Sequence, residues 1–106
     1  MGLKMKKKVI ISVVAAIILI LVGLGTYYGV AYNYALKNEN YTEREIENIA
    51  LEQSVGGDII RITKEFEIDD EQLSLSEFVY DVEMKTLQNR SMEMTISSRT
   101  GIVDID

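Results

Sequence analysis

The 106 residues include no cysteine, no histidine, no tryptophan and no proline. Each absence removes chemistry. Without cysteine there is no disulfide, no thiolate nucleophile, no iron–sulfur cluster and no lipid-modified thiol. Without histidine as well, the usual structural zinc sites, histidine-ligated haem and Ser–His catalysis are excluded. A formal net charge of -6 opposes nucleic-acid binding.

Charge is also absent from one long stretch. Lys4, Lys6, Lys7 and Lys8 place four positive charges on the first eight residues, and residues 9–36 carry none. From Lys37 onward seven basic and seventeen acidic side chains leave a net -10. The chain therefore joins an apolar rod to an acidic domain.

Residues 9–31, VIISVVAAIILILVGLGTYYGVA, are apolar on every helical face. As a helix they span roughly 34 Å, enough for a ~30 Å hydrocarbon core. We expect a transmembrane helix. The lysines before it put residues 1–8 in the cytoplasm and the C-terminal domain outside, by the positive-inside rule. Tyr27, Tyr28, Tyr32 and Tyr34 suit an outer interfacial belt. A signal peptide cleaved after Gly29-Val30-Ala31 is the alternative, but its apolar region would span only about 7–15 residues. Gly25 and Gly29 form a GxxxG pair, read here as incidental because bulky tyrosines flank it.

Residues 32–41, YNYALKNENY, read as a short polar connector. Thr42-Glu43-Arg44-Glu45 then fits a capping box. It opens a helix to about Ser54 with Ile46, Ile49 and Ala50 on one face, ended by Gly56-Gly57 at the C′ position. Beyond Asp58 the period becomes two. Ile60, Ile62, Phe66 and Ile68 form one apolar stripe, interrupted by Lys64, whose stem snorkels at the edge. Phe78, Tyr80, Val82 and Met84 form a second, and Met92, Met94 and Ile96 a third. A turn at Thr100-Gly101 leads to Val103 and Ile105, which continue the core face. The predicted architecture is α+β: a transmembrane helix, then one helix packed on a three- to four-stranded antiparallel sheet. Residues 42–106 form a small domain, which buries only roughly 60% of its unfolded surface.

Ile46-Glu47-Asn48-Ile49-Ala50-Leu51, the Gly56-Gly57 stop, Tyr80-Asp81-Val82-Glu83-Met84 and Thr100-Gly101-Ile102-Val103 occur in the order and spacing of a PepSY domain. Residues 42–106 resemble that family, named for peptidase propeptides and a spore-germination protein. The family usually carries an aspartate before the last turn, where this chain has Ser97, and the loop at 69–76 is longer here. The resemblance implies a non-catalytic module outside the cytoplasmic membrane of a bacterium. In propeptides such a domain covers or helps fold the peptidase; anchored copies are proposed to restrain proteases near the cell surface.

No catalytic residue, cofactor or metal is expected. Asp69-Asp70-Glu71 lacks the spaced ligands and glycine of a calcium loop. Ser74 and Ser76 have no lysine at S-x-x-K spacing. Asp81 and Glu83 share a strand face that reads as solvated rather than catalytic. Met84, Met92 and Met94 fall on core positions rather than forming a soft-metal site. Asn40-Tyr41-Thr42 and Asn89-Arg90-Ser91 match a glycosylation triplet by chance.

The expected partners are the lipid bilayer and a protein, a peptidase by resemblance; nucleic acid is not expected. Two surfaces suit a protein: an exposed edge strand, or an acidic sheet face carrying Glu65, Glu67, Asp81, Glu83 and Glu93. The alternative function is an accessory subunit of a membrane complex, held by its helix.

Overall fold

The structure, a computed structural model, describes residues 6–106; Lys4 of the basic tail lies outside them. Seven elements follow in order: α1 (Lys7–Lys37), α2 (Glu43–Gln53), β1 (Asp58–Glu67), a 3-10 turn (Leu73–Leu75), β2 (Glu77–Lys85), β3 (Ser91–Ser97) and β4 (Val103–Ile105). The chain divides into two compact units, one ending at Val30 and one running from Ala31 to Asp106.

In the first unit α1 exposes its aliphatic side chains on all sides. It is long and apolar enough to cross a membrane. Many of its residues are β-branched and form helices weakly in water. In lipid a helix is favoured because it satisfies its backbone groups internally. Its serine and threonine hydroxyls follow the same logic: Ser12 Oγ donates to the Lys8 carbonyl and Thr26 Oγ1 to the Val22 carbonyl, both at 2.8 Å.

The second unit is the α+β body. Its sheet has the order β1-β2-β3-β4 with every neighbour antiparallel. α2 starts at the expected capping box: Thr42 Oγ1 accepts from the Glu45 N–H at 3.2 Å, and the Glu45 carboxylate accepts from the Thr42 N–H at 3.1 Å. Ile46 and Ala50 of α2 close onto Tyr80, Val82 and Met84 of β2 and Met94 and Ile96 of β3. Each large side chain so buried contributes about 1.5–3 kcal/mol.

Four details depart from the sequence reading. The connector at 32–41 is part of the fold. α1 stays helical to Lys37, and Ala31 and Ala35 are fully buried. Tyr32 meets Phe66 and Phe78 edge-on, with ring centroids 5.5 and 5.4 Å apart. Asn38 Nδ2 donates to the carbonyls of Ser74 and Ser76, each at 2.8 Å. The N–H groups of Asn40 and Tyr41 both donate to the Ser98 carbonyl, at 2.9 and 3.0 Å. Side chains that read as polar spacers thus satisfy loop carbonyls.

The first apolar stripe shifts by one residue at its start. A bulge between Ile59 and Arg61 places Ile59 opposite Met84 and leaves Ile60 54% exposed, while Ile62 pairs with Val82 and Phe66 with Phe78. Lys64, opposite Tyr80, lies over the Phe78 ring at 4.3 Å and ion-pairs with Glu39.

The C-terminus of α2 is a Schellman motif whose C′ residue is Val55, not a glycine. Val55 has φ 54°; its N–H donates to the Glu52 carbonyl at 3.3 Å, and the Gly56 N–H to that of Leu51 at 3.2 Å. Gly57 serves a different need, because a Cβ there would lie 2.3 Å from the Lys85 carbonyl oxygen. Finally, only Val103 of the last strand joins the core; Ile105 lies opposite Met94 but is half exposed at the short edge.

Candidate functional site: the acidic sheet face

Alternation along the strands places Arg61, Thr63 and Glu65 of β1, Asp81 and Glu83 of β2, and Glu93 and Thr95 of β3 on the face opposite the core. The registers align them in rows: Arg61, Glu83 and Glu93; then Thr63, Asp81 and Thr95; then Glu65, Val79 and Ser97. A shallow concavity of about 230 Å³ crosses these rows, lined by Arg61, Thr63, Glu65, Asp81, Glu83 and Glu93, with Asp106 at its rim.

Four of the five expected acids, Glu65, Asp81, Glu83 and Glu93, therefore surround one depression. Glu67 lies outside it, paired with Glu77 one row further along. Sequence alternation places the four, with Arg61 beside them, on one face and misses Asp106. Arg61 forms an ion pair with Glu83 at 3.1 Å. Asp106 is brought in by a backbone bond, its N–H donating to the Glu93 carbonyl at 3.0 Å.

The acids are not equivalent. Thr95 Oγ1 donates to Asp81 Oδ1 at 2.9 Å, which fixes that carboxylate. A hydrogen bond with Asp81 holds the Glu65 carboxyl above the usual carboxylate range, and the Asp81 charge adds to this. Val79 lies buried between Glu65 and Ser97 and gives the face a small apolar floor at that end.

A second polar group caps the same end. Ser97 Oγ donates to the Glu77 carboxylate and accepts from the N–H groups of Arg99 and Thr100, each at 3.1 Å. Arg99 approaches Glu77 at 3.7 Å. This group shapes the last turn, in which Gly101 has φ 72°.

The other rejected candidates have structural roles as well. Asp69 Oδ1 caps its own loop, accepting from the N–H groups of Glu71 and Gln72 at 3.0 and 2.9 Å. Met84 and Met94 are core residues, with Met92 packed against them. Among the described residues no group of three or more acidic side chains is arranged to hold a metal ion.

The fold and this face define a small α+β module with one bare acidic sheet face, on a chain that also carries one membrane-length apolar helix. Comparison with protein-family models, curated proteins and solved structures gives no match.

Proposed function

We propose that the chain is a membrane-anchored, non-catalytic PepSY-type module whose acidic sheet face binds a basic surface on a protein outside the cytoplasmic membrane. One observation carries this reading. The sheet uses one face for its core and leaves the other uncovered, with five carboxylates gathered around one concavity. Such a surface attracts cationic partners and repels anionic lipid headgroups. The partner implied by the PepSY resemblance is a peptidase, restrained at the cell surface. Ser97 supports that resemblance, since its hydroxyl accepts the two turn N–H groups that an aspartate side chain would accept. The lysines at the start of α1 orient the anchor with its N-terminus in the cytoplasm.

The test is crosslinking capture with the full chain in its own membranes, beside the triple variant Asp81→Asn, Glu83→Gln and Glu93→Gln, which leaves β1 unchanged. A partner captured by the native protein is lost by the variant, and its capture fades as salt shortens the screening length from about 8 Å to about 3 Å. Equal capture by both proteins at all salt concentrations overturns the acidic-face reading. Replacing α1 up to Val30 with an unrelated membrane helix separates this function from that of an accessory subunit held by its helix. Binding survives replacement only if the domain carries it.

A further inference from the structure

β1 is the longest strand in the sheet and lies at its edge, with β2 as its only strand neighbour. Its burial pattern is almost entirely exposed. An edge of this length presents unpaired N–H and C=O groups to any matching strand, and folded proteins usually guard such edges with bulges or inward-pointing charges. Here both guards are limited. The bulge lies between Ile59 and Arg61, leaving residues 61–67 in unbroken register with β2. The inward-pointing charge, Lys64, is already paired with Glu39 and seated over Phe78.

The sequence of β1 selects a partner strand. If the edge joins an antiparallel copy of itself and core faces stay on one side, opposite residues must share a face. Pairing can then be centred on Ile62, Thr63 or Lys64. Centring on Lys64 sets two ammonium groups against each other. Centring on Ile62 sets Arg61 against threonine and Glu65 against Ile59. Centring on Thr63 sets Arg61 against Glu65 twice, once on each side of the axis, with threonine facing threonine. On the core face it sets Ile62 against Lys64, whose ammonium group is held by Glu39. Opposite charges and paired threonines are the cross-strand contacts that stabilise an antiparallel ladder.

We propose that β1 is a self-association edge, joining two copies of the chain about a two-fold axis at Thr63 into one continuous eight-stranded sheet. The contact is isologous and closes at two copies. It also answers an imbalance on the polar face. Glu65 has Asp81 and Glu67 as charged neighbours, and the second copy brings to it the guanidinium of Arg61, which bridges it to Glu83 of its own copy. The proposal does not rest on the acidic-face reading. Loss of partner capture leaves β1 pairing intact, and loss of β1 pairing leaves a single-copy acidic face.

The absence of native cysteine makes the test direct. Full-length Thr63→Cys protein, in its membrane or in detergent micelles, is exposed to a mild oxidant. A disulfide-linked dimer is expected. Glu67→Cys serves as the control, since in this register two copies of residue 67 lie eight strand positions apart, roughly 27 Å. In the Thr63→Cys background, Arg61→Glu alone or Glu65→Arg alone should lower the crosslinked fraction at least tenfold. The two together should restore it. Three results overturn the proposal: no crosslink at residue 63, equal crosslinking at 63 and 67, or failure of the double charge reversal to restore what each single reversal removes. Equal crosslinking at both positions would indicate collision or association through α1 instead.

Discussion

At the residue scale, two side chains show how a local choice acts through its neighbours. Lys64 breaks an apolar stripe, yet it sits on the core face with its ammonium group over the Phe78 ring and against Glu39. The hydrogen bond to Glu39 raises its pKa above the ordinary value of 10.5, against the opposing effect of partial burial. A lysine whose folded-state pKa is raised contributes stability that is fully present below the unfolded value and lost as pH rises through the folded one. Lys64→Met should therefore lower stability by about 1 kcal/mol at neutral pH. The gap between the two proteins should close above pH 10.5. Denaturant unfolding of both proteins across that range checks this; a gap independent of pH would mean that the charge is not its source. Gly101 is the second case. Its φ is 72°, and a Cβ there would lie 2.7 Å from the Tyr41 ring. Gly101→Val combines backbone strain with a clash and should cost about 3 kcal/mol, read as a fall in thermal midpoint. Unchanged stability would refute the turn geometry.

At the element scale, the sequence announces where elements start more clearly than where they stop. The capping box at Thr42 and Glu45 occurs where the spacing places it, because both partners lie within four residues. The C-terminus of α2 was less legible. Two adjacent glycines invite the C′ assignment, but backbone bonding gives that position to Val55, which is 76% exposed and left-handed. Gly57 is reserved for close approach to β2, a contact between residues 28 apart in sequence. Because Val55 buries little, Val55→Gly should relieve its strain and raise stability by about 0.5–1 kcal/mol. Equilibrium unfolding measures this gain; a loss would show that the valine side chain has a packing role. The bulge in β1 was hidden for a similar reason. Ile59 and Ile60 are equally apolar, and only pairing with Met84 determines which of them faces the core.

At the scale of the whole molecule, the folded domain begins earlier than its sequence boundary. Residues 32–41 look like a connector because they are polar and precede a clear helix cap. The structure buries Ala31 and Ala35, packs Tyr32 on two phenylalanines and ties Asn38, Asn40 and Tyr41 to Ser74, Ser76 and Ser98. Backbone and side-chain hydrogen bonds of this kind contribute about 1 kcal/mol each, a large share for so small a domain. A chain beginning at Ala31 should therefore unfold in one cooperative thermal transition, whereas a chain beginning at Thr42 should show none. Calorimetry of the two decides the point, and equal melting would restore 32–41 to the role of connector.

Local pattern fixes the apolar rod, the charge division, the α+β class and the strand faces beyond the start of β1. These depend on composition and on periods of 3.6 and 2, which are local properties. It also placed Glu65, Asp81, Glu83 and Glu93 on one sheet face, since alternation is sufficient for that. Tertiary structure decided which of those acids share a concavity, because rows across a sheet depend on register between strands. It likewise paired Arg61 with Glu83, brought in Asp106, and made residues 31–41 part of the domain. Those outcomes depend on bonds between residues far apart in the chain, such as Asn38 to Ser76 and Asp106 to Glu93, which no local pattern records.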